Sequence, residues 1–457
     1  MTALSRPLIP KFEYQHAFFD ARTRILILSD NPGASREVAT SLRQLGFDIL
    51  MTIFDGSKLT SLPVEAPNAI LCHLTDYIDK APDIAKVLRK HFSPRQLPVI
   101  GALSRPASNL SNSFDSTLLA PMHASQIANR VGSMIRLGRI EAEITRRMTT
   151  LQEDFNEAVE LSDMSPERQF RVLFIGKADP SFMVIINALQ HKGVEVVAAF
   201  TSFSAFDYLH ERSFDAVIMN TIEQSEPALS ISEAMRKNSK LYHVPTLFLI
   251  GDGFADAETA YQCGARDLIS VNANPDEISG RILELANYHR IHEQMKTEMF
   301  SIIPEHCRDG SGTVFSYAFF ERHLGRVISD AQKANETVTL LGLKLLPESV
   351  DGLTQDDFDV TYSESAAIIK DVLRMHDIIS RQGDKFYMAF YDTDEHKTAG
   401  IRDRLKALLE DNAFSFLSDN SALLTLSCQS VIYPVQPTDN AEKALSALIS
   451  ELETSAV

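Results

Sequence analysis

Cysteine is scarce here, and the four present, Cys72, Cys263, Cys307 and Cys428, include no C-x-x-C pair. That scatter excludes a zinc knuckle and a disulfide framework, so no metal is expected and a reducing compartment fits. Long apolar runs are missing too. Those present, such as residues 244–250, have strand length and cannot cross a bilayer. The opening MTALSRPLIPKFEYQHAFF lacks the apolar core of a signal peptide, so a cytoplasmic location without membrane insertion is expected. Positive charge is in deficit: 44 Lys and Arg against 61 Asp and Glu leave a net charge of -17. Such a surface repels polyanions and argues against nucleic acid as a partner.

What is there is ordinary globular composition, 44% hydrophobic and 23% charged, in 457 residues. At roughly 150 residues per domain that length implies about three domains. Short apolar runs, RILILSD (24–30), NAILCHL (68–74) and LPVIGAL (97–103), alternate with helix-period segments such as SREVATSLRQLGF. Strands separated by helices imply a parallel sheet covered on both faces. The pattern then restarts with RVLFIGKADP (171–180), FDAVIMN (214–220) and VPTLFLIG (244–251), about 146 residues later. A whole domain is therefore repeated. Between the copies, Ile140, Ile144, Met148, Leu151 and Phe155 form one apolar helix face. That helix either packs on a neighbouring domain or pairs between chains, and its Arg136, Arg139, Arg146 and Arg147 read as a solvated face.

The last third differs. A helix near 317–333 precedes the strand TVTLLGLKLL, and a helix near 362–374 leads to a hairpin centred on Gln382–Lys385. A helix over 398–410 and the strand LLTLSCQSVIY follow, an order that predicts an α+β domain with a partly antiparallel sheet. The expected organisation is an N-terminal arm (1–21), a first α/β domain (22–140), a connecting helix (141–168), a second α/β domain (169–292), a linker (293–304) and the α+β domain (305–457).

The strand endings of the two copies, FDAVIMN and CGARDLISV above all, resemble the receiver domains of response regulators. The resemblance implies two doubly wound, flavodoxin-like domains. It also implies an acidic pair for Mg²⁺, an Asp that accepts phosphoryl, and a hydroxyl and a Lys that read the phosphate. In the first copy these positions hold Ser29-Asp30, His73 as acceptor, and Ala120 before Pro121. In the second they hold Gly176-Lys177, Asn220 as acceptor, Ile250 and Val271. His73 reads as a structural histidine at the end of a buried strand, with Asp55 and Asp76 as acceptors only if the strand assignment slips. Both copies are expected to be docking and dimerisation modules.

The stretch RMHDIISRQGDKF (374–386) combines an intact Arg-x-x-Asp, Arg374 and Asp377, with an imperfect hairpin motif, Gln382-Gly383-Asp384-Lys385-Phe386. It resembles the GGDEF domains that join two GTP molecules into cyclic di-GMP. In that family a D-x-D strand and the hairpin acids hold two metals; here Lys344, Leu346 and Lys385 stand at those places, and only Asp384 is kept. The hairpin is one glycine short beside Gly383, which is expected to crowd the turn. Phe315-Ser316 stands where the guanine-binding Asn would be, and Asp359 matches a guanine-binding Asp of the family but reads first as a helix-start carboxylate. No catalytic residue set is expected. The inhibitory site is retained, with Arg404, eighteen residues beyond Phe386, as a second arginine. An Arg fork matches guanine O6 and N7, and an Asp accepts from N1–H and N2–H₂. Arg374 and Asp377 would share a face if the helix persists; the bland alternative is a surface ion pair. Arg381 is a weaker candidate for a phosphate contact.

The chain is thus similar to receiver–receiver–GGDEF response regulators with a degenerate last domain. That resemblance implies a homodimeric effector with cyclic di-GMP as ligand and no other cofactor. It also implies other cytoplasmic proteins as partners, in an adaptor role in cell-cycle control, at a cell pole, presenting proteins to a protease. The competing readings are a constitutive scaffold with a vestigial site and a working cyclase.

Overall fold

The computed structural model describes residues 23–454 apart from 60, 94–96, 106–112, 121, 160–168, 223–224, 239, 255–256, 349–353 and 416–422. The N-terminal arm, Pro121 and the end of the expected connecting helix lie outside the described residues. The chain divides into two compact units, residues 1–138 with 165–294 and residues 139–164 with 295–457.

The first unit carries the repeat. Its first copy is built of β1 (Arg24–Ser29), α1 (Pro32–Gln44), β2 (Asp48–Ile53), β3 (Ala69–Leu74), α2 (Ala81–Phe92), β4 (Val99–Leu103), β5 (Ser116–Leu119) and the start of α3 (Ala124–Asp154). The second is β6 (Arg171–Ile175), α4 (Pro180–His191), β7 (Glu195–Ala199), α5 (Ser202–Glu211), β8 (Ala216–Asn220), α6 (Glu226–Lys237), β9 (Thr246–Ile250), α7 (Ala257–Gln262), β10 (Asp267–Ser270) and α8 (Pro275–Ser301). Strand starts Arg24, Asp48, Ala69 and Val99 recur at Arg171, Glu195, Ala216 and Thr246, each a shift of 147 residues. Both sheets are parallel, with orders β2-β1-β3-β4-β5 and β10-β9-β8-β6-β7. Counted from each copy's own first strand, both have the 2-1-3-4-5 order of flavodoxin-like folds. The second copy has a helix in every crossover. Among the described residues the first has none between β2 and β3 or between β4 and β5, where Phe54, Leu59, Leu62 and Phe114 cover the sheet instead.

The copies also meet on equivalent edges. Buried Arg130 donates to Ser116 Oγ at 2.6 Å and pairs with Glu284 at 2.7 Å, while Gln126 donates to Asp267 and His123 stacks on Tyr261. A shift of 151 residues carries Ser116 to Asp267 and Arg130 to Arg281, which pairs with Asp267 at 3.3 Å. The two edges are thus used in a nearly reciprocal way.

The second unit begins within α3, whose Ile140, Ile144 and Leu151 are buried, and continues from the end of α8. The segment read as a linker, 293–304, is helical to Ser301. Then come β11 (Phe315–Ser316), α9 (Tyr317–Ala334), β12 (Val338–Pro347), α10 (Gln355–Val372), β13 (Ile378–Gln382), β14 (Lys385–Tyr391), α11 (Glu395–Glu410), β15 (Phe414–Ser415), β16 (Leu423–Leu424), β17 (Leu426–Pro434) and α12 (Ala441–Thr454). The main sheet runs β11-β13-β14-β12-β17; only β11–β13 is parallel, which makes the sheet mixed as expected. Alternation along β12 sends Leu341, Leu343 and Leu345 to a core with α10 and α11, and Val338 and Leu340 to one with α9 and α12. Gly342 leaves room for Leu448 and Leu452 of α12, which lie 3.3–3.4 Å from where a Cβ would stand.

Candidate functional site

Helix α10 starts on a capping box in which Thr354 and Asp357 exchange hydrogen bonds. The helix-start carboxylate is therefore Asp357; Asp359 sits in the exposed second turn. The helix ends at Val372 because Leu373 turns extended, with ψ 155°. Arg374 and Asp377 consequently share a tight turn and not a helix face, correcting the helical expectation. The Asp377 N–H donates to the Arg374 carbonyl at 3.0 Å, and the Arg374 N–H donates to Asp377 Oδ2 at 2.9 Å. Arg374 is exposed, whereas His376 and Asp377 are buried. Burial pushes the Asp377 carboxyl up to about 6, against the opposing charge and N–H of Arg374. Burial, with Arg139 and Arg374 nearby, pushes the His376 imidazole down to about 3. Asp377 Oδ1 and His376 Nε2 find no hydrogen-bond partner among the described residues.

The hairpin after β13 closes in two residues, with Gln382 paired to Lys385 and Gly383 at φ 63°. A positive φ confined to the first turn position suits a type II′ turn, and nothing lies within 4 Å of a Cβ at Gly383. The turn is therefore not crowded at Gly383, contrary to expectation. Across β12 and β14, Lys344 stands directly opposite Lys385, and Lys385 Nζ pairs with Glu453 of α12 at 2.8 Å. Leu346 lies two residues further along the strand. Two ammonium groups and a leucine offer no oxygen ligands to a divalent cation. Arg404 is exposed on α11. Arg381 Nε donates to buried Asp309 at 2.9 Å, while its Nη1 is buried without a hydrogen-bond partner among the described residues.

The sequence missed what lies around the turn. The arginines read as a solvated face of α3 are engaged, Arg136 with Ser133 Oγ at 3.4 Å. Arg147 and Arg146 are nearly buried and bond Glu143 at 2.7 and 3.1 Å, Arg146 lies over Tyr391, and Arg139 pairs with Asp392. His323 Nε2 meets Glu143 at 3.1 Å and its Nδ1 meets Thr150 at 2.8 Å. Burial opposes ionisation of Glu143, but His323, Arg147 and Arg146 hold it well below the carboxylate range. Polar residues interleaved with Ile140, Ile144 and Leu151, leaving α3 no clean polar face, were the available signal.

In the first α/β copy, Ser29, Ser35 and His73 form a buried relay, each link 2.6 Å long. Burial lowers the His73 pKa. Asp30 accepts from the N–H groups of Thr75, Asp76 and Tyr77, which keep it ionised despite burial. In the second copy Asn220 Nδ2 donates to Asp179 at 2.8 Å, and Asp179 caps α4. The 147-residue shift carries His73 onto Asn220, so the two acceptor positions correspond.

No protein family matches the chain by sequence, and no curated protein does. Solved structures similar to parts of it include the GGDEF domain of DgcB from Caulobacter crescentus in complex with c-di-GMP. It is 17% identical over 34% of this chain and 92% of that one, with a TM-score of 0.32. The GGDEF domain of YfiN (TpbB) from Pseudomonas aeruginosa is 20% identical over 31% and 89%, with a TM-score of 0.28. A protein described as a response regulator from Chloroflexus aurantiacus is 19% identical over 26% and 99%, with a TM-score of 0.25. Among the described residues no helix is long and apolar enough to cross a membrane.

Proposed function

We propose that this chain is a non-catalytic effector of cyclic di-GMP, with Arg374 as its principal anchor and Asp377 and Arg404 as further contacts. One observation carries the reading. The Arg-x-x-Asp pair is folded into a single closed turn with Arg374 exposed, while Lys344 and Lys385 face each other where metal-holding acids would be needed. The exposed guanidinium is free to fork onto a guanine edge, and no residue of the lysine pair can hold Mg²⁺ for phosphoryl transfer. The receiver-like copies, without a phosphoryl-reading lysine, act as docking modules in a homodimer. In logic the reading is closest to receiver–receiver–GGDEF proteins of the PleD and PopA type, PopA above all. An adaptor role toward cytoplasmic protein partners, in cell-cycle proteolysis at a pole, rests on that resemblance. The burial of Asp377 favours a second reading, a constitutive scaffold in which the motif only closes its own turn. Calorimetric titration with cyclic di-GMP separates the two: the effector binds and Arg374→Ala weakens it, whereas the scaffold takes up no ligand.

A further inference from the structure

In the second unit, β13 and β14 pair Ile378 with Ala389, and the same register carried two and three residues further leads from the Arg374–Asp377 turn to Tyr391 and Asp392. The same two residues hold α3. Arg139 pairs with Asp392 and the Arg146 guanidinium lies 4.9 Å from the centre of the Tyr391 ring. Behind them, Glu143 is fastened to His323 of α9 and Arg147 to the Met299 carbonyl at 3.1 Å. The α3 segment 139–147 is therefore pinned at Asp392, Tyr391, His323 and Met299. Beneath it His376 and Asp377 are 7% and 5% exposed, and each keeps a polar atom without a partner among the described residues.

Those two orphaned atoms are the informative part. A buried carboxylate oxygen or ring nitrogen left unpaired is costly, and a fold tolerates it where another state satisfies it. A guanine edge offers two N–H donors, which is what Asp377 Oδ1 lacks. Arg374 is already outside, so half of the site is presented and half is shut.

We propose that the Arg139–Arg147 segment of α3 is a strap that closes the Arg-x-x-Asp site, and that ligand capture releases it from Asp392. This rests on the effector reading above. The closed form cannot offer Asp377 to a ligand, so observed affinity is lowered by the fraction of molecules with the strap open. Release frees Arg139 to meet the ligand's phosphates. It also displaces the helix that, at its other end, is the last helix of the first α/β copy, which gives ligand occupancy a mechanical output.

The test uses the full chain and cyclic di-GMP itself. Asp392 has φ 50°, a conformation Asn accepts, so Asp392→Asn removes the ion pair without straining the backbone. Calorimetry should show Asp392→Asn binding about tenfold more tightly than wild type, as expected when a closed state is depopulated. Without ligand, hydrogen exchange at the Asp377 and Ile378 amides should be faster in the variant. Arg139→Met, which cuts the same tether from the other side, should speed the same amides. Equal affinity in wild type and Asp392→Asn, or unchanged exchange in both variants, overturns the strap and leaves the effector reading standing. Binding by neither protein overturns the effector reading and the strap with it.

Discussion

Arg374 and Asp377 are closed into one turn by a 2.9 Å bond from the Arg374 N–H to the Asp377 carboxylate, yet the arginine is exposed and the aspartate is 5% exposed. A pair read from sequence as two ligand contacts is thus one presented contact and one withheld. Arg374→Ala should weaken cyclic di-GMP binding by on the order of 2 kcal/mol, about thirtyfold, measured by calorimetry. Equal affinities would leave Arg374 a surface cation and nothing more.

Asp377 should also make stability depend on pH. Its folded pKa of about 6 lies above the ordinary 3.8. Stability is therefore full below the unfolded value and falls as pH rises through the folded one, by roughly 3 kcal/mol in all. Asp377→Asn does not titrate. Its stability relative to wild type should rise by about 1 kcal/mol between roughly pH 5 and pH 7.5, read by scanning calorimetry of both proteins. A pH-independent difference would contradict the buried carboxyl.

Glu143 holds together the charges that α3 brings into the second unit. Glu143→Ala leaves buried Arg147 without its acid and Arg146 with only Asp330, 3.7 Å away. A loss of roughly 3–5 kcal/mol is expected, the scale for breaking a buried ion pair from one side. Chemical denaturation of the full chain should show it as an earlier transition, and a loss below about 1 kcal/mol would mean water reaches the cluster.

Incubation with GTP and Mg²⁺ should yield no cyclic di-GMP, because Lys344 and Lys385 oppose each other where oxygen ligands are required. Chromatographic detection of the dinucleotide would restore the enzyme reading.

A small phosphodonor with Mg²⁺ should add no mass to the protein. His73 shares its Nδ1 with Ser35 and Asn220 holds Asp179, so neither side chain is presented as an acceptor. An acid-labile adduct on either copy would show that one of these bonds opens.

The repeat was legible because parallel strands are buried on both faces and read as unbroken apolar runs. The starts of β1, β3 and β4, and of their counterparts, fall where those runs begin. Edge strands β2 and β7 carry partly exposed residues and left no such run. The end of α10 was hidden, since Leu373 carries no glycine or proline to mark its extended backbone. The arginines of α3 misled for a different reason. Charge on a helix normally signals solvent, and although Glu143 lies one turn before Arg146 and Arg147, only tertiary structure supplies His323, Asp392 and the aromatic rings that make burial tolerable.

The Arg130–Glu284 and Gln126–Asp267 bonds tie one α/β copy to the other within a single chain. Separate domains that pair by such edges obey a second-order equilibrium, and their pairing fades on dilution. Here the two edges travel together at an effective concentration set by the chain, so the association is first order. The pairing should be the same in a cell holding a few copies of this protein as in a concentrated sample, and it need not wait for an incoming signal to bring the halves together.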